Sequence, residues 1–398
     1  MTSEILTASA APRSRVVRYS ALAFFLLVAN LRPPLTAVGP LLETIRSSLG
    51  LSSAAAGLLP TLPLLIFAGV SPFAGLGDLF GIERMLAGCL ALVAAGVALR
   101  SEGSVAALFG GTVIFAIGIG VANVLAPSVI KRDFPSHVGR MTAAYVMVMA
   151  LTGAIATGLA VPLSVHLAGG WRSSLAIWAA LAALALVCWL PEMRRTSALA
   201  VQRVETPEHK KPIWRYVIAW QVAIFMGLQF LIYYVTIGWV PLFLADHGHS
   251  PAEAGWLLTL YQAVSFAVGL VAPTLMRRGH DQRMLAAVTS LITALCIFGL
   301  LIAPGLASLW LVICGGSFGI TFILAFALIG MRTSDHRRAA SLSTMSQATA
   351  YLIAAAGPVA FGWLRDIAAG WTIPMLSLVA VAVIQAVAGL GAGRQRQI

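Results

Sequence analysis

Acidic side chains are scarce in this chain, and where they are missing matters more than how few there are. The 398 residues hold 14 Asp and Glu against 26 Lys and Arg, a formal net charge of +12, and charged residues make up only 10% of the whole. None of the carboxylates falls deep in an apolar run. That absence, together with the lack of any nucleophile or metal cluster in those runs, leaves a membrane-embedded enzyme without chemistry to use. Cysteine is equally thin. Cys89, Cys188, Cys296 and Cys314 lie within apolar runs at unrelated spacings, which supply neither a disulfide frame nor a metal site and read as small buried hydrophobes. Polar stretches are short, with one exception at residues 192–214. The basic excess does not point to nucleic acid, because the Lys and Arg residues sit in short connections between apolar runs, where they set orientation. No cofactor motif is present.

What remains is hydrophobicity: 59% of the residues are apolar and the mean hydropathy is +0.91, values of an integral membrane protein. Runs of the length needed to cross a bilayer, about 20 residues, fall near 19–42, 54–76, 84–101, 104–130, 141–167 and 171–190. Six more fall near 216–244, 253–276, 284–303, 305–331, 341–364 and 371–391. Lipid admits only helices or closed barrels, and these runs are too continuously apolar for barrel strands, so the spacing predicts an all-α membrane protein of twelve transmembrane helices in two pseudo-symmetric bundles of six. The expected organisation is a tail at 1–18, a first bundle at 19–191, a linker at 192–214, a second bundle at 215–391 and a tail at 392–398. The first apolar run is long and lacks a small-residue cleavage site, so no cleaved signal peptide is expected.

Twenty-one of the 26 basic residues fall on the side of this layout that carries both termini and four on the other (Arg46, Arg100, Arg172 and Arg365), with Arg32 between them. The positive-inside bias therefore predicts cytoplasmic termini in a bacterial-type inner membrane.

Arg32 is the charged residue set deep in a span, inside the segment Asn30-Leu31-Arg32-Pro33-Pro34. It lies about 14 residues past Arg18, roughly 20 Å along a helix, beyond the middle of a core about 30 Å thick. A charge at that depth costs about 2.5–3.5 kcal/mol on insertion scales and normally meets an opposite charge in a protein-lined cavity. With no carboxylate deep in another span, the partner expected is an anionic ligand. The guanidinium's planar fork of donors suits cyanate, nitrate or a small carboxylate. The competing reading is structural: Pro33 and Pro34 remove donors from the preceding helix, and Arg32 satisfies the carbonyls of the break.

The two halves resemble each other. LRPPLTAVGPLL (31–42) aligns with IYYVTIGWVPLF (232–243) at an offset of 201, and IKRDFPSHVGR (130–140) parallels IGMRTSDHRR (329–338). Parallel half-repeats of this kind place substrate sites near the midplane between halves. The segment AGLGDLFGIERML (74–86) resembles a degenerate form of the loop between spans two and three of the major facilitator superfamily, with Asp78, Gly81 and Arg84 at matching positions and Leu79 where a basic residue is usual. Asn30 to Leu42 is similar to the N-x-R-P-x-L-T-x-V-G-P-L-L signature of the cyanate-transporter family, which includes cyanate and 2-nitroimidazole porters. Pro127-Ser128-Val129-Ile130-Lys131-Arg132 with Phe134 is a second match. The resemblance covers roughly residues 20–390 and implies alternating access between two six-helix halves.

Other side chains carry two readings each. Thr36, one turn past Arg32, joins the site or bonds back within its helix. Asn30 is about 200° around from Arg32 and is expected to cap the broken helix rather than face the cavity. Tyr233, the half-repeat counterpart of Arg32, and Tyr234 supply walls and hydroxyl donors, or only packing. Asn123, Tyr261, Gln262, Ser265, Thr321, Gln347 and Tyr351 lie at compatible depth, where polar side chains also tie helices together. Gly153, Gly158, Gly357 and Gly362, with Pro358, allow close packing or bending, and with Asp78, Gly81 and Arg84 are the conformational candidates. His166 is read as an interfacial residue.

The function expected is secondary transport of one small anion, with the lipid bilayer as the other partner, no nucleic acid, and a monomeric state. Two alternatives stay open: a porter or exporter of neutral nitroimidazole-like heterocycles, and a non-transporting receptor, which the short tails argue against.

Overall fold

A computed structural model describes residues 13–70, 81–194, 212–276, 281–334 and 336–396. Asp78, the chain 195–211 of the expected linker and the terminal tails 1–12 and 397–398 lie outside the described residues. The described chain is helical: α1 (Arg13–Ala29), α2 (Pro33–Thr36), a 3₁₀ turn (Gly39–Leu41), α3 (Leu42–Leu49), α4 (Ser53–Val70), α5 (Ile82–Arg100), α6 (Val105–Asp133), α7 (Val138–His166) and α8 (Trp171–Trp189). After residue 212 come α9 (Val217–Asp246), α10 (Pro251–Met276), α11 (Arg283–Ile302), α12 (Ala307–Met331), α13 (His336–Ala368) and α14 (Thr372–Ala392).

Eleven segments among the described residues are long and apolar enough to cross a membrane, the first spanning Ala21–Leu49. The twelfth crossing helix is α13, which begins on His336-Arg337-Arg338 and carries a run of Ser, Thr and Gln, so its hydropathy is lower. Of these side chains Ser346 is buried and Ser343, Gln347 and Thr349 are half-buried, while Ser341 and Thr344 are exposed. Successive helices alternate in direction. One face of the bundle, here the terminal face, therefore holds the start of α1 and the end of α14. The opposite, distal face holds Gly50, Asp246 and the end of α13.

The Pro pair decides the shape of the first span. Pro33 and Pro34 stand at the first positions of α2, where a missing N–H costs nothing, and α1 ends at Ala29 because they cannot extend its ladder. The Asn30 amide donates to the Leu26 carbonyl at 2.8 Å, which closes the end of α1 as its capping reading expected. The span continues through the 3₁₀ turn and α3, beyond the boundary at residue 42 read from hydropathy. It stops at Gly50, whose φ of 65° is the left-handed conformation that ends helices.

The first eight helices pack among themselves, chiefly α5 on α6 and α8, and α4 on α6. The last six do likewise, with α9 on α13 and α14, α10 on α12, and α11 on α12 and α14. Between the two groups α4 packs on α13, α7 on α10, and the 3₁₀ turn on α9. Close approach needs missing side chains: a Cβ at Gly57 would lie 2.6 Å from the Pro358 carbonyl oxygen across the junction.

The distal face is tied by polar contacts between the groups. Arg365 bridges Asp246 (3.1 Å) and the Ser53 hydroxyl (3.2 Å), and the Trp371 indole donates to Asp246 at 2.9 Å. Asp366, in the last turn of α13, accepts the Ala54 N–H at 3.2 Å, a carboxylate set on the positive end of α4. At the terminal face the first group holds a cluster of its own. Buried Glu83 meets Arg132 at 2.5 Å, Arg132 meets Asp133 at 2.7 Å, and the Trp189 indole donates to the Glu83 carbonyl at 3.0 Å. Hydrogen bonding to Asp133, then the Glu83 charge, holds Arg132 above the ordinary guanidinium range. Gly81, with φ 85°, turns the chain into α5, and Arg84 beside it is exposed.

Candidate functional site

The helix break places Arg32 in the centre of the molecule, between the two groups of helices. It keeps some accessible surface although it is deep among protein atoms. Distal to it the chain from Thr36 to Leu42 is buried. Among the described residues Arg32 forms no ion pair. The titratable groups whose fields reach it are four tyrosines and no carboxylate: Tyr234, Tyr233, Tyr351 and Tyr145. Tyr234 is foremost among these neighbours, and the guanidinium carbon lies 5.8 Å from the Tyr233 ring centre, a cation–π separation. Arg32 thus meets the residue at its own half-repeat position.

Gly153 of α7 makes room for this arrangement. A Cβ there would sit 3.2 Å from the Arg32 Cβ, 3.6 Å from the Gln262 amide oxygen and 3.7 Å from the Thr36 methyl. The Thr36 hydroxyl donates to the Gly153 carbonyl at 2.9 Å and also lies 3.3 Å from the Arg32 carbonyl, so it is occupied in fastening α2 to α7. Gln262 of α10 donates to the Thr157 hydroxyl at 3.0 Å, which itself donates to Gly153 at 2.9 Å. Thr259 donates to the Ala154 carbonyl at 3.0 Å. These bonds join the groups directly beside Arg32.

Around this centre stand aromatic walls. Tyr233 stacks on Phe318 at 5.3 Å and meets Tyr234 edge-on at 5.2 Å. Tyr261 lies 5.7 Å from Phe318, fully buried, with a hydroxyl that has no hydrogen-bond partner. Tyr351 meets Phe67 at 5.4 Å and Phe230 at 5.3 Å. The Tyr145 hydroxyl donates to the Asn123 amide oxygen at 3.2 Å, and both residues are half-buried.

Gln347 is a turn from Tyr351 on α13, half-buried, and donates to the Ser343 hydroxyl at 2.9 Å. Ser265 and Thr321 belong to the α10–α12 contact: the Ser265 carbonyl faces Gly319, and Thr321 bonds back to the Ser317 carbonyl at 2.8 Å. Gly357 packs against Leu231 and Val235 inside the second group, and the Pro358 carbonyl accepts the Trp239 indole N–H at 3.0 Å. His166 is exposed at the distal end of α7.

Arg32 is not the lone arginine held among protein atoms: Arg100, counted on the side opposite the termini, is enclosed as well. Arg100 ends α5 only 1% exposed. Its Nη1 donates to the Pro34 carbonyl at 2.7 Å, and its guanidinium carbon lies 4.8 Å from the Phe115 ring centre. Hydropathy places the residue at the end of a run, where surface is the default; the inward turn of the Pro pair covers it. The same limit hid Glu83, which starts α5 yet is buried against Arg132. Tyr145 had a usable signal, a mid-helix phenol, but no spacing that tied it to Arg32.

A family model described as Major Facilitator Superfamily matches residues 21–358. A protein named 2-nitroimidazole transporter, from Escherichia coli (strain K12), is 41% identical over 94% of this chain and 95% of its own length. One named cyanate transport protein CynX, from the same strain, is 31% identical over 91% of this chain and 95% of its own. Among solved structures, that of a D-xylose-proton symporter superposes with a TM-score of 0.78 over 96% of this chain and all of the other, at 16% identity, a likeness of fold.

Proposed function

Because the chain belongs to the Major Facilitator Superfamily and is a multi-pass membrane transporter, we propose that its cargo is one small anion held by Arg32 between the two groups of helices. The observation that carries this reading is the central guanidinium: it keeps some accessible surface and has phenols for neighbours, and among the described residues it forms no ion pair. A bound anion supplies the missing charge in a medium where an unpaired one is expensive, and the Tyr234 hydroxyl is placed to share it. The relatives named for cyanate and 2-nitroimidazole favour a small planar cargo of this kind.

The helices before residue 195 and after residue 212 act as the two bodies that rock about this site. The described conformation is closed at its distal face by Arg365, Asp366 and Asp246. With the termini in the cytoplasm, as the distribution of basic residues favours, it faces inward. Among the described residues no carboxylate pairs with Arg32, so coupling runs by exchange, by uniport, or by a proton carried on a weakly acidic cargo.

The test is a thermal-shift and binding titration of purified protein against cyanate, nitrate, small carboxylates and 2-nitroimidazole, run beside Arg32→Gln and Arg32→Lys. One anion is expected to stabilise the wild type, Arg32→Lys weakly, and Arg32→Gln not at all. A second reading, transport of a neutral heterocycle between the rings of Tyr233, Tyr351 and Phe318, is favoured by the aromatic walls. It prevails if only the heterocycle binds and Arg32→Gln leaves that binding unchanged.

A further inference from the structure

Arg100 carries more hydrogen-bonding capacity than its surroundings use. A guanidinium offers five N–H donors. In Arg100, Nη1 is engaged by the Pro34 carbonyl, while Nε and Nη2 are buried and have no partner. Phe115 covers one face of the group but cannot accept its in-plane hydrogens. A strut for the helix break needs one donor; a positive charge with two idle donors in the interior is costly unless something pairs with it.

The structure also holds a space for that partner. Arg100 lines a cavity of about 20 Å³, enough for one water-sized species. Its other walls include Pro34, Thr112, Gly238 and Tyr234. Tyr234 belongs to both places: it lines this cavity and is also a neighbour of Arg32. The cavity lies on the distal side of the helix break, beneath the closed distal face. Among its lining residues Arg100 is the one charged group, and it is a cation.

We propose that Arg100 and this cavity form a second anion-binding station, one step from Arg32 towards the distal face, which a small monovalent anion occupies on its way between Arg32 and the distal entrance. Its role in transport rests on the assignment of Arg32 as the anion site, but its occupancy does not. In a low-dielectric space a fixed guanidinium favours an anion over water. Two stations joined through Tyr234 let the cargo leave Arg32 without stranding either charge at once.

The probe is bromide, located by anomalous diffraction from crystals of the full chain soaked in bromide. Density is expected at both Arg32 and Arg100. Density at Arg100 alone upholds this station and defeats the assignment of Arg32. Density at Arg32 alone overturns the station and leaves that assignment standing; none at either overturns both. Arg100→Gln is expected to lose the Arg100 density and keep that at Arg32; a persisting peak overturns the role of the arginine. Gly238→Val serves where Arg100→Gln does not fold. The site has space, since a Cβ at Gly238 meets only Pro60, at 3.7 Å, and the added methyls fill the cavity without touching the charge. It is expected to remove the Arg100 density and to slow counterflow about tenfold, with affinity at Arg32 held within a factor of three. Unchanged density and flux in this variant overturn the proposal.

Discussion

The Thr36 hydroxyl donates to the Gly153 carbonyl oxygen at 2.9 Å, and that bond anchors the short helix that follows Arg32. It joins the broken first span to α7, and Gly153 in turn joins Thr157 and Gln262 of the other group. A site charge, a helix junction and a contact between the two moving bodies therefore share one turn of α7.

Gly153→Val is expected to displace Arg32. Even a Cβ lies within 3.2 Å of the Arg32 Cβ, and overpacking costs about 1–3 kcal/mol. Anion affinity measured by titration should fall by about tenfold or more in the valine variant. Gly153→Ala should lose only a few-fold. Equal affinity in wild type and valine variant would show that Arg32 is free of this wall.

Tyr234→Phe removes a hydroxyl from beside the guanidinium and leaves the ring. A hydrogen bond to a charged group is worth about 1.5–3 kcal/mol, so anion affinity is expected to drop about tenfold. Tyr233→Phe should leave it nearly unchanged, because Tyr233 offers its ring to Arg32. Tyr233→Ala, which removes the surface stacked on Phe318, should weaken a heterocycle more than an anion. The measurement is a set of paired binding curves for both ligand classes.

Asp366→Ala unseats the carboxylate from the start of α4. Loss of a cap costs about 0.5–2 kcal/mol, and here the cost falls on the distal-closed state alone, because the bond spans the two groups. Accessibility of a cysteine placed at Ser53 to a membrane-impermeant thiol reagent from the distal side should rise about three- to thirtyfold. No change would remove Asp366 from the distal lock.

Arg132→Met takes from buried Glu83 the guanidinium that it meets at 2.5 Å. Breaking a buried pair in this way costs about 3–5 kcal/mol, and the thermal midpoint should drop by several degrees. The double variant Glu83→Leu with Arg132→Met is expected to recover most of that loss, since it removes the stranded charge. A single variant as stable as the wild type would show that the pair is balanced by solvent.

The twelve helices, their alternation and the membrane were legible because lipid imposes one requirement that hydropathy records directly: a run of apolar residues long enough to satisfy its own backbone across the core. Arg32 was legible for the opposite reason, as a charge that violates that requirement and so must have company. Asn30 followed from the same local rule, since a helix cut by Pro33 and Pro34 needs a donor at its end. These are statements about single helices. Which polar side chains face inward is not. Tyr233, Tyr351 and Tyr145 come together at Arg32, whereas buried Thr321 bonds back within its own helix, although all lie within spans. Hydropathy has no term for rotation about the helix axis, and packing between helices sets it.

Arg100 shows the limit most plainly. By sequence it ends an apolar run, as Glu83 stands just outside the other end of the same run, and hydropathy alone does not bury either. The folded chain buries both, one under the bent first span and the other against Arg132, because neighbouring helices overhang the ends of α5. The sequence alone determined that this is a helical membrane protein with one arginine in its middle. Only the tertiary structure decided that a second arginine stands behind the first, because burial at a helix end depends on what the rest of the chain lays over it.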